Sequence, residues 1–153
     1  MATPQFGMAE SGRHYRDRPA AFGVLQRAGK VALVTVQKPG QAAWFDLPGG
    51  ALDPGEDDAA ALVREFGEET GLKVAPGVLL GRADQYFIST DGEAYDNRQA
   101  LFEARWAAEA AELKIEADHE LVWLSPLEAI ARLRHDSHAW AVSLALRRGV
   151  LAA

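Results

Sequence analysis

Cysteine is missing from all 153 residues. That absence excludes disulfide scaffolds, thiol nucleophiles, iron–sulfur clusters and cysteine-ligated zinc. Basic charge is also in short supply: 16 Lys and Arg stand against 22 Asp and Glu, a formal net charge of −6. A broad basic surface for extended nucleic acid is therefore not expected. A small phosphorylated substrate remains compatible, because bound cations invert the local charge of an acidic pocket. No run approaches the ~20 apolar residues of a membrane span. The opening MATPQFGMAESGRHYRDR also lacks the apolar segment of a secretory signal. No membrane partner is expected, and the cytoplasm is the expected location. Repeats and linkers are absent too, and the length and 48% apolar content fit one domain with a proper core.

What is present divides into a polar start and a patterned remainder. Residues 1–17 read as a loose tail and 18–153 as a single domain. Ala21–Leu25 and the β-branched run Lys30–Gln37 read as a strand pair joined at Ala28-Gly29. Trp44–Leu47 is a short strand running into Pro48-Gly49-Gly50. Asp57–Thr70 has helical pattern, with Leu62, Val63 and Phe66 on one apolar face and Gly71 placed as a C-terminal cap. Val74–Ile88, with an interruption at Pro76-Gly77, and Arg98–Trp106 read as strands, and Tyr95-Asp96-Asn97-Arg98 as a polar loop entering the second. Leu121–Leu124 is a short strand. Helices follow from Pro126 to about Leu133 and over Ser137–Arg148. This order, without regular βαβ alternation, predicts an α+β chain folded as an α/β/α sandwich with a mixed sheet.

Chemistry concentrates in one helix. Glu65, Glu68 and Glu69 stand at i, i+3 and i+4 and therefore share a face, with Glu56 near its start. Such like-charge pairs oppose helix formation by a few tenths of a kcal/mol each, roughly. Gly67 in the same turn costs about another 1 kcal/mol relative to Ala. A hard divalent cation explains the combination, since Mg²⁺ and Mn²⁺ take oxygen ligands. Arg64 supplies a forked donor suited to orienting one of the carboxylates.

From Gly50 to Leu72 these residues form a fixed pattern. Gly50 is followed after five residues by Glu56, and after seven more by Arg64-Glu65-Phe66-Gly67-Glu68-Glu69-Thr70-Gly71-Leu72. The stretch resembles, at every fixed position, the signature of the Nudix hydrolases. From average composition a chance match is on the order of one in ten million, so coincidence is set aside. Asp118–Leu124 (DHELVWL) also resembles the late acidic loop and strand of MutT-like members. The resemblance implies a Nudix fold and a Mg²⁺-dependent pyrophosphohydrolase, with Mn²⁺ also possible. It implies metal-site carboxylates at Glu65, Glu68 and Glu69, a backbone ligand at the Gly49 carbonyl, an orienting Arg64, and supporting roles for Gly50 and Glu56. A further ligand or general base is expected outside the signature, at Glu120 first and Glu116 second. The alternative is a catalytically silent domain of the same family that binds or senses nucleotides.

Substrate choice is written less clearly. Trp44, Phe45, Tyr86, Phe87 and Tyr95 offer faces for stacking on a base, and Arg98 a contact for a phosphate. Tyr86 falls 14 residues past Leu72, near but short of the tyrosine that marks dinucleoside polyphosphate hydrolases in the family. Position 88 is Ile, where many ADP-ribose hydrolases carry proline. The lack of cysteine speaks against the zinc-containing NADH class and against isopentenyl diphosphate isomerase. Nucleoside triphosphates, damaged ones included, rank first with dinucleoside polyphosphates or capped RNA ends. ADP-ribose and other sugar nucleotides follow. His135 and His138 read as capping or surface residues, and the chain as a monomer or homodimer.

Overall fold

The computed structural model describes residues 2–152. From Arg16 to Val24 successive side chains face opposite ways, as a strand requires. Ala20, Phe22 and Val24 enter one apolar core and Ala21 enters another. Lys30–Val36 repeats the division, with Val31 and Leu33 on the first side and Ala32 on the second. Two cores on opposite faces of the strands need two covering layers. One is the signature helix, whose Ala61, Leu62 and Phe66 close the second core, and the other is a pair of C-terminal helices bringing Ala129, Ala141, Val142 and Ala145 to the first. The α/β/α sandwich expected from the element order is the fold observed.

In chain order the strands are β1 (Gln5–Phe6), β2 (Arg16–Val24), β3 (Gln26–Arg27), β4 (Lys30–Val36), β5 (Trp44–Asp46), β6 (Gly49–Ala51), β7 (Leu72–Ile88), β8 (Ala94–Glu109) and β9 (His119–Leu124). The helices are α1 (Asp58–Thr70), α2 (Pro126–Arg132) and α3 (Asp136–Arg147). A five-stranded mixed sheet runs β1-β7-β8-β2-β6, with β2 parallel to β8 and β1 parallel to β7. The smaller sheet centres on β4, which pairs with β3, β5 and β9. No helix among the described residues is long and apolar enough to cross a membrane.

Four sequence expectations are revised. The Ala21–Leu25 run does not pair with Lys30–Gln37. It lies in the large sheet beside β8 and β6, and the hairpin at Ala28-Gly29 joins only β3 to β4. Residues 1–17, expected as a loose tail, hold β1 and the first residues of β2, whose partners lie far along the chain. Tyr95, Asp96 and Asn97 are not a loop but interior residues of β8, aligned with Arg16, Asp17 and Arg18. The interruption at Pro76-Gly77 appears as register shifts within a continuous β7.

Helix α1 has clear ends. The Asp57 side chain accepts the Ala60 N–H at its start, and Gly71 closes it in the left-handed conformation at φ 72°. Phe66 is fully buried among Ala21, Leu25, Ala32 and Leu62. Truncating Phe66 to Ala should cost about 3–5 kcal/mol. Denaturant unfolding checks this, and a loss below about 1 kcal/mol would show that α1 is not anchored through this ring.

Candidate active site

The carboxylates of α1 gather around one cation. Arg64 Nε donates to Glu56 Oε2 at 2.7 Å and Nη2 to Glu56 Oε1 at 2.9 Å. Its Nη1 reaches Glu65 Oε1 at 2.9 Å and Glu68 Oε2 at 3.2 Å, and Nη2 also caps the Ala51 carbonyl at 3.0 Å. Asp53 stands 3.2 Å from the same guanidinium. The forked geometry of arginine suits such multiple docking and a lysine ammonium does not. The hydrogen bond from Arg64 holds the Glu56 carboxyl down to about 2. Burial pushes Glu65 upward against the pull of Arg64.

Glu69 is placed differently. It is buried, accepts the Gly49 N–H at Oε1 (3.0 Å), and meets His119 Nε2 at Oε2 (3.0 Å). His119 Nδ1 lies 2.7 Å from Asp118 Oδ1, and Asp118 in turn pairs with Lys38. Burial pushes the Glu69 carboxyl up to about 7, with His119 and the Gly49 amide pulling against it. Burial opposes the charged His119 ring, yet Glu69 and Asp118 together raise it to about 9.

Glycines open the space these groups occupy. A Cβ on Gly50 would lie 2.7 Å from the Glu65 carboxyl carbon, so only glycine leaves that carboxylate its position. A Cβ on Gly67 would lie 3.0 Å from Leu113 Cδ1. The helix glycine is thus a seat for the loop before β9, whose Ile115 and Glu116 amides both donate to the Glu68 carbonyl, at 3.0 and 3.1 Å.

That loop brings further polar groups beside α1. Glu116, Asp118 and His119 bring ligand atoms within 4.8 Å of one another. Glu120, the first expectation, is exposed. Along β9, Leu121 and Trp123 pack with the α1 side and Val122 and Leu124 with the other. Alternation puts His119 toward the helix and Glu120 away from it. His119 was not foreseen, although its place one residue from Glu120 on an alternating strand was a usable signal.

Beside the carboxylates lies a cleft of ≈ 210 Å³, lined among others by Glu69, Gly49, Gly50, Trp44, Phe87 and Arg18. Lys38, Asn97, His135 and His138 also line it. Trp44 falls where a stacking residue was expected. Tyr86 and Arg98 do not line it. Tyr86 packs edge-on against Tyr15, and Arg98 is engaged by Asp17, Asp84 and Asp96 on an exposed surface. His135 and His138, expected as capping or surface residues, are buried. His135 does stand at the N-cap position of α3, but its side chain makes no cap hydrogen bond there.

The family assignment can be read from residues 15–145, which match the model of the NUDIX domain. The chain belongs to the Nudix hydrolase family. An RNA pyrophosphohydrolase from Sphingopyxis alaskensis is 30% identical over 114 residues, 67% of this chain and 72% of that protein. A CTP pyrophosphohydrolase from Escherichia coli is 30% identical over 110 residues, 70% of this chain and 75% of that one. In fold, the chain is similar to a Nudix hydrolase from Nitrosomonas europaea. The TM-score is 0.70 at 22% identity, covering 90% of this chain and 97% of the other.

The family generally uses a divalent metal, and the residues present fit one. Glu65, Glu68 and Glu69 offer hard oxygen donors, as such cations require. Glu68 and Glu69 also sit in the last turn of α1, which carries no basic residue, where the helix dipole disfavours negative charge. Gly50 leaves room for a carboxylate where any side chain would fill it.

Two outcomes follow. Arg64→Lys should reduce metal affinity and turnover by about 10- to 100-fold while the fold persists. Metal titration with circular dichroism checks this, and an unchanged affinity would deny Arg64 its orienting role. Burial holds His135 down to about 4 and His138 to about 3. Both lie below the ordinary value of 6.5, so the unfolded chain binds more protons below that value. Their contribution is complete above pH 6.5 and falls away as the pH drops toward 4 for His135 and toward 3 for His138. The denaturation midpoint should therefore fall over that window, less steeply in a His138→Asn variant than in the parent.

Proposed function

We propose that this chain is a Mg²⁺-dependent pyrophosphohydrolase, with Mn²⁺ as an alternative ion, that cleaves a nucleoside diphosphate linked to another moiety. Nucleoside triphosphates stand first among its substrates, together with dinucleoside polyphosphates or capped RNA ends. One observation carries the reading: Glu69, Gly49 and Gly50 belong both to the carboxylate cluster and to the wall of a cleft that also holds Trp44, Phe87, Arg18 and Lys38. An acidic metal-holding face thus opens directly onto aromatic and basic groups suited to a base and its phosphates. The cleft is smaller than the ~300–1,000 Å³ usual for drug-sized ligands. That favours one nucleoside held inside, with the rest of the molecule extending outward. Two relatives at 30% identity are named RNA pyrophosphohydrolase and CTP pyrophosphohydrolase, which supports a substrate of this kind.

In this reading Glu65, Glu68 and Glu69, with the Gly49 carbonyl, are the groups that would hold the divalent ion. When bound, such an ion neutralises phosphate charge and makes its water more acidic. Arg64 keeps Glu56, Glu65 and Glu68 in register, and the Lys38–Asp118–His119 chain fixes the Glu69 carboxylate. Arg18 and Lys38 orient the phosphates while Trp44 and Phe87 flank the base. A water attacks one phosphorus and its oxygen stays there as the bridging P–O bond breaks, the bridging oxygen leaves with the other phosphorus, the water's proton is released, and a nucleotide and a phosphate-bearing product depart. Glu116 replaces Glu120 as the carboxylate offered by the late loop for an additional ligand or base.

Glu68→Gln or Glu69→Gln should remove metal-dependent phosphate release without unfolding the chain. The assay is a panel of triphosphates, dinucleoside polyphosphates, capped RNA and ADP-ribose with Mg²⁺ and Mn²⁺, scored by which phosphorus bond breaks. Undiminished release from either variant would refute the assignment of these carboxylates. Tight nucleotide binding without release by the parent protein would favour a silent binding domain.

A further inference from the structure

Four tryptophans occur in the chain, and packing accounts for three of them. Trp140 lies against the first core, and Trp106 and Trp123 lie against the second. Trp44 belongs to neither. It is partly buried and lines the cleft beside the carboxylate cluster. A ring outside the core keeps one place only where other contacts offset the rotamer freedom it gives up.

Those contacts come from Asp46 and Arg134, which line the same cleft. Trp44 Nε1–H donates to Asp46 Oδ2 at 3.1 Å. Arg134 grips the same carboxylate, Nη2 to Oδ2 at 2.7 Å and Nε to Oδ1 at 3.2 Å. The guanidinium carbon stands over the indole, 4.4 Å from the ring centroid. Each member of the trio therefore touches the other two. The backbone secures the arrangement from both sides. Trp44 and Asp46 are two residues apart on β5 and so face the same way. Arg134 comes from 88 positions beyond Asp46, and its own N–H donates to the Phe45 carbonyl at 2.9 Å.

We propose that Asp46 is a positioning residue that locks Trp44 and Arg134 into a preformed stacking wall, so that nucleotide affinity depends on its carboxylate and the chemical step does not. Arg134 covers one face of the indole and leaves at most one face for a base. A ring fixed in advance loses little freedom when a ligand stacks on it, and that saving shows up as affinity. Asp46 is bound by Arg134 and Trp44, whereas the carboxylates of α1 are held by Arg64 and His119. Changing Asp46 therefore leaves the supports of the acidic cluster in place. The inference rests on the reading of Trp44 as a base-flanking residue in a nucleotide hydrolase and adds what holds it there.

Asp46→Asn keeps the size of the side chain and one acceptor but withdraws the charge from the Arg134 fork. Calorimetry in Mg²⁺ with the α,β-methylene triphosphates of adenosine, cytidine, guanosine and uridine identifies the tightest binder of the four. The variant should bind that analogue about tenfold more weakly, the cost of ordering two side chains on binding. With the matching natural triphosphate, KM should rise by a similar factor and kcat change by less than about twofold, the pattern of lost uniform binding. In protein labelled with ¹⁵N-tryptophan, the indole N–H resonance that is missing from Trp44→Phe should move upfield in Asp46→Asn, while the remaining indole resonances stay. Arg134→Gln uncovers the indole without altering β5, should weaken binding in the same direction, and serves where Asp46→Asn does not fold. Parent protein that binds none of the four, unchanged affinity in either folded variant, an unmoved Trp44 resonance, or a loss confined to kcat would overturn the proposal. Natural triphosphates left intact by the parent protein would reject the hydrolase reading alone, with the affinities still deciding the role of Asp46.

Discussion

Arg64 lies among Asp53, Glu56, Glu65 and Glu68, and the tension between those carboxylates and this one fixed cation organises the site. Without it, three acidic groups on one helix face would repel one another at the end of α1 where the dipole also opposes them. Arg64 resolves only part of this. Its contacts account for Glu56, Glu65 and Glu68, whereas Glu69 is turned away toward Gly49 and His119. The Glu69 side thus needs a support of its own, supplied by β9 and by Lys38 through Asp118. Two cationic supports from different parts of the chain hold a cluster that no local segment would hold alone.

The glycines acquire physical meanings from this arrangement. Gly50 makes space for the Glu65 carboxylate, and Gly67 for the loop that delivers Glu116, Asp118 and His119. In sequence Gly67 reads as a penalty inside a helix. In structure the missing side chain lets a second element press against the helix and donate two backbone hydrogen bonds to Glu68. The carboxylate face of α1 and the outer loop are therefore fitted to one another through a residue whose missing side chain makes the room.

Much of this was legible beforehand, and what was not has a common cause. The α1 helix, its cap at Gly71 and its three aligned glutamates follow from short-range spacing, which one segment displays in full. Trp44 could be placed near the site because its strand leads directly into Gly49 and Gly50. Glu120 lies on the face of β9 away from α1 and His119 on the face toward it, since strand parity is set by a partner strand and one step reverses the face. Arg98 and Tyr86 looked available only because their acidic and aromatic partners are distant in sequence. His135 and His138 read as surface residues for the same reason: α3 covers the first core and the cleft, and nothing nearby in sequence announces it.

The parallel pairing of β2 with β8 has a further consequence, one of timing. Arg18 and Asn97 are neighbours in the cleft yet stand 79 positions apart in the chain. Closing so long a loop must precede any reward from the contacts it permits. A nascent chain that has emerged only through α1 possesses every glutamate of the cluster and none of the β8 wall. The acidic cluster is encoded early and locally, while the cleft beside it waits for the sheet to be completed. During synthesis the molecule therefore carries its clustered glutamates for some time before the cleft beside them exists.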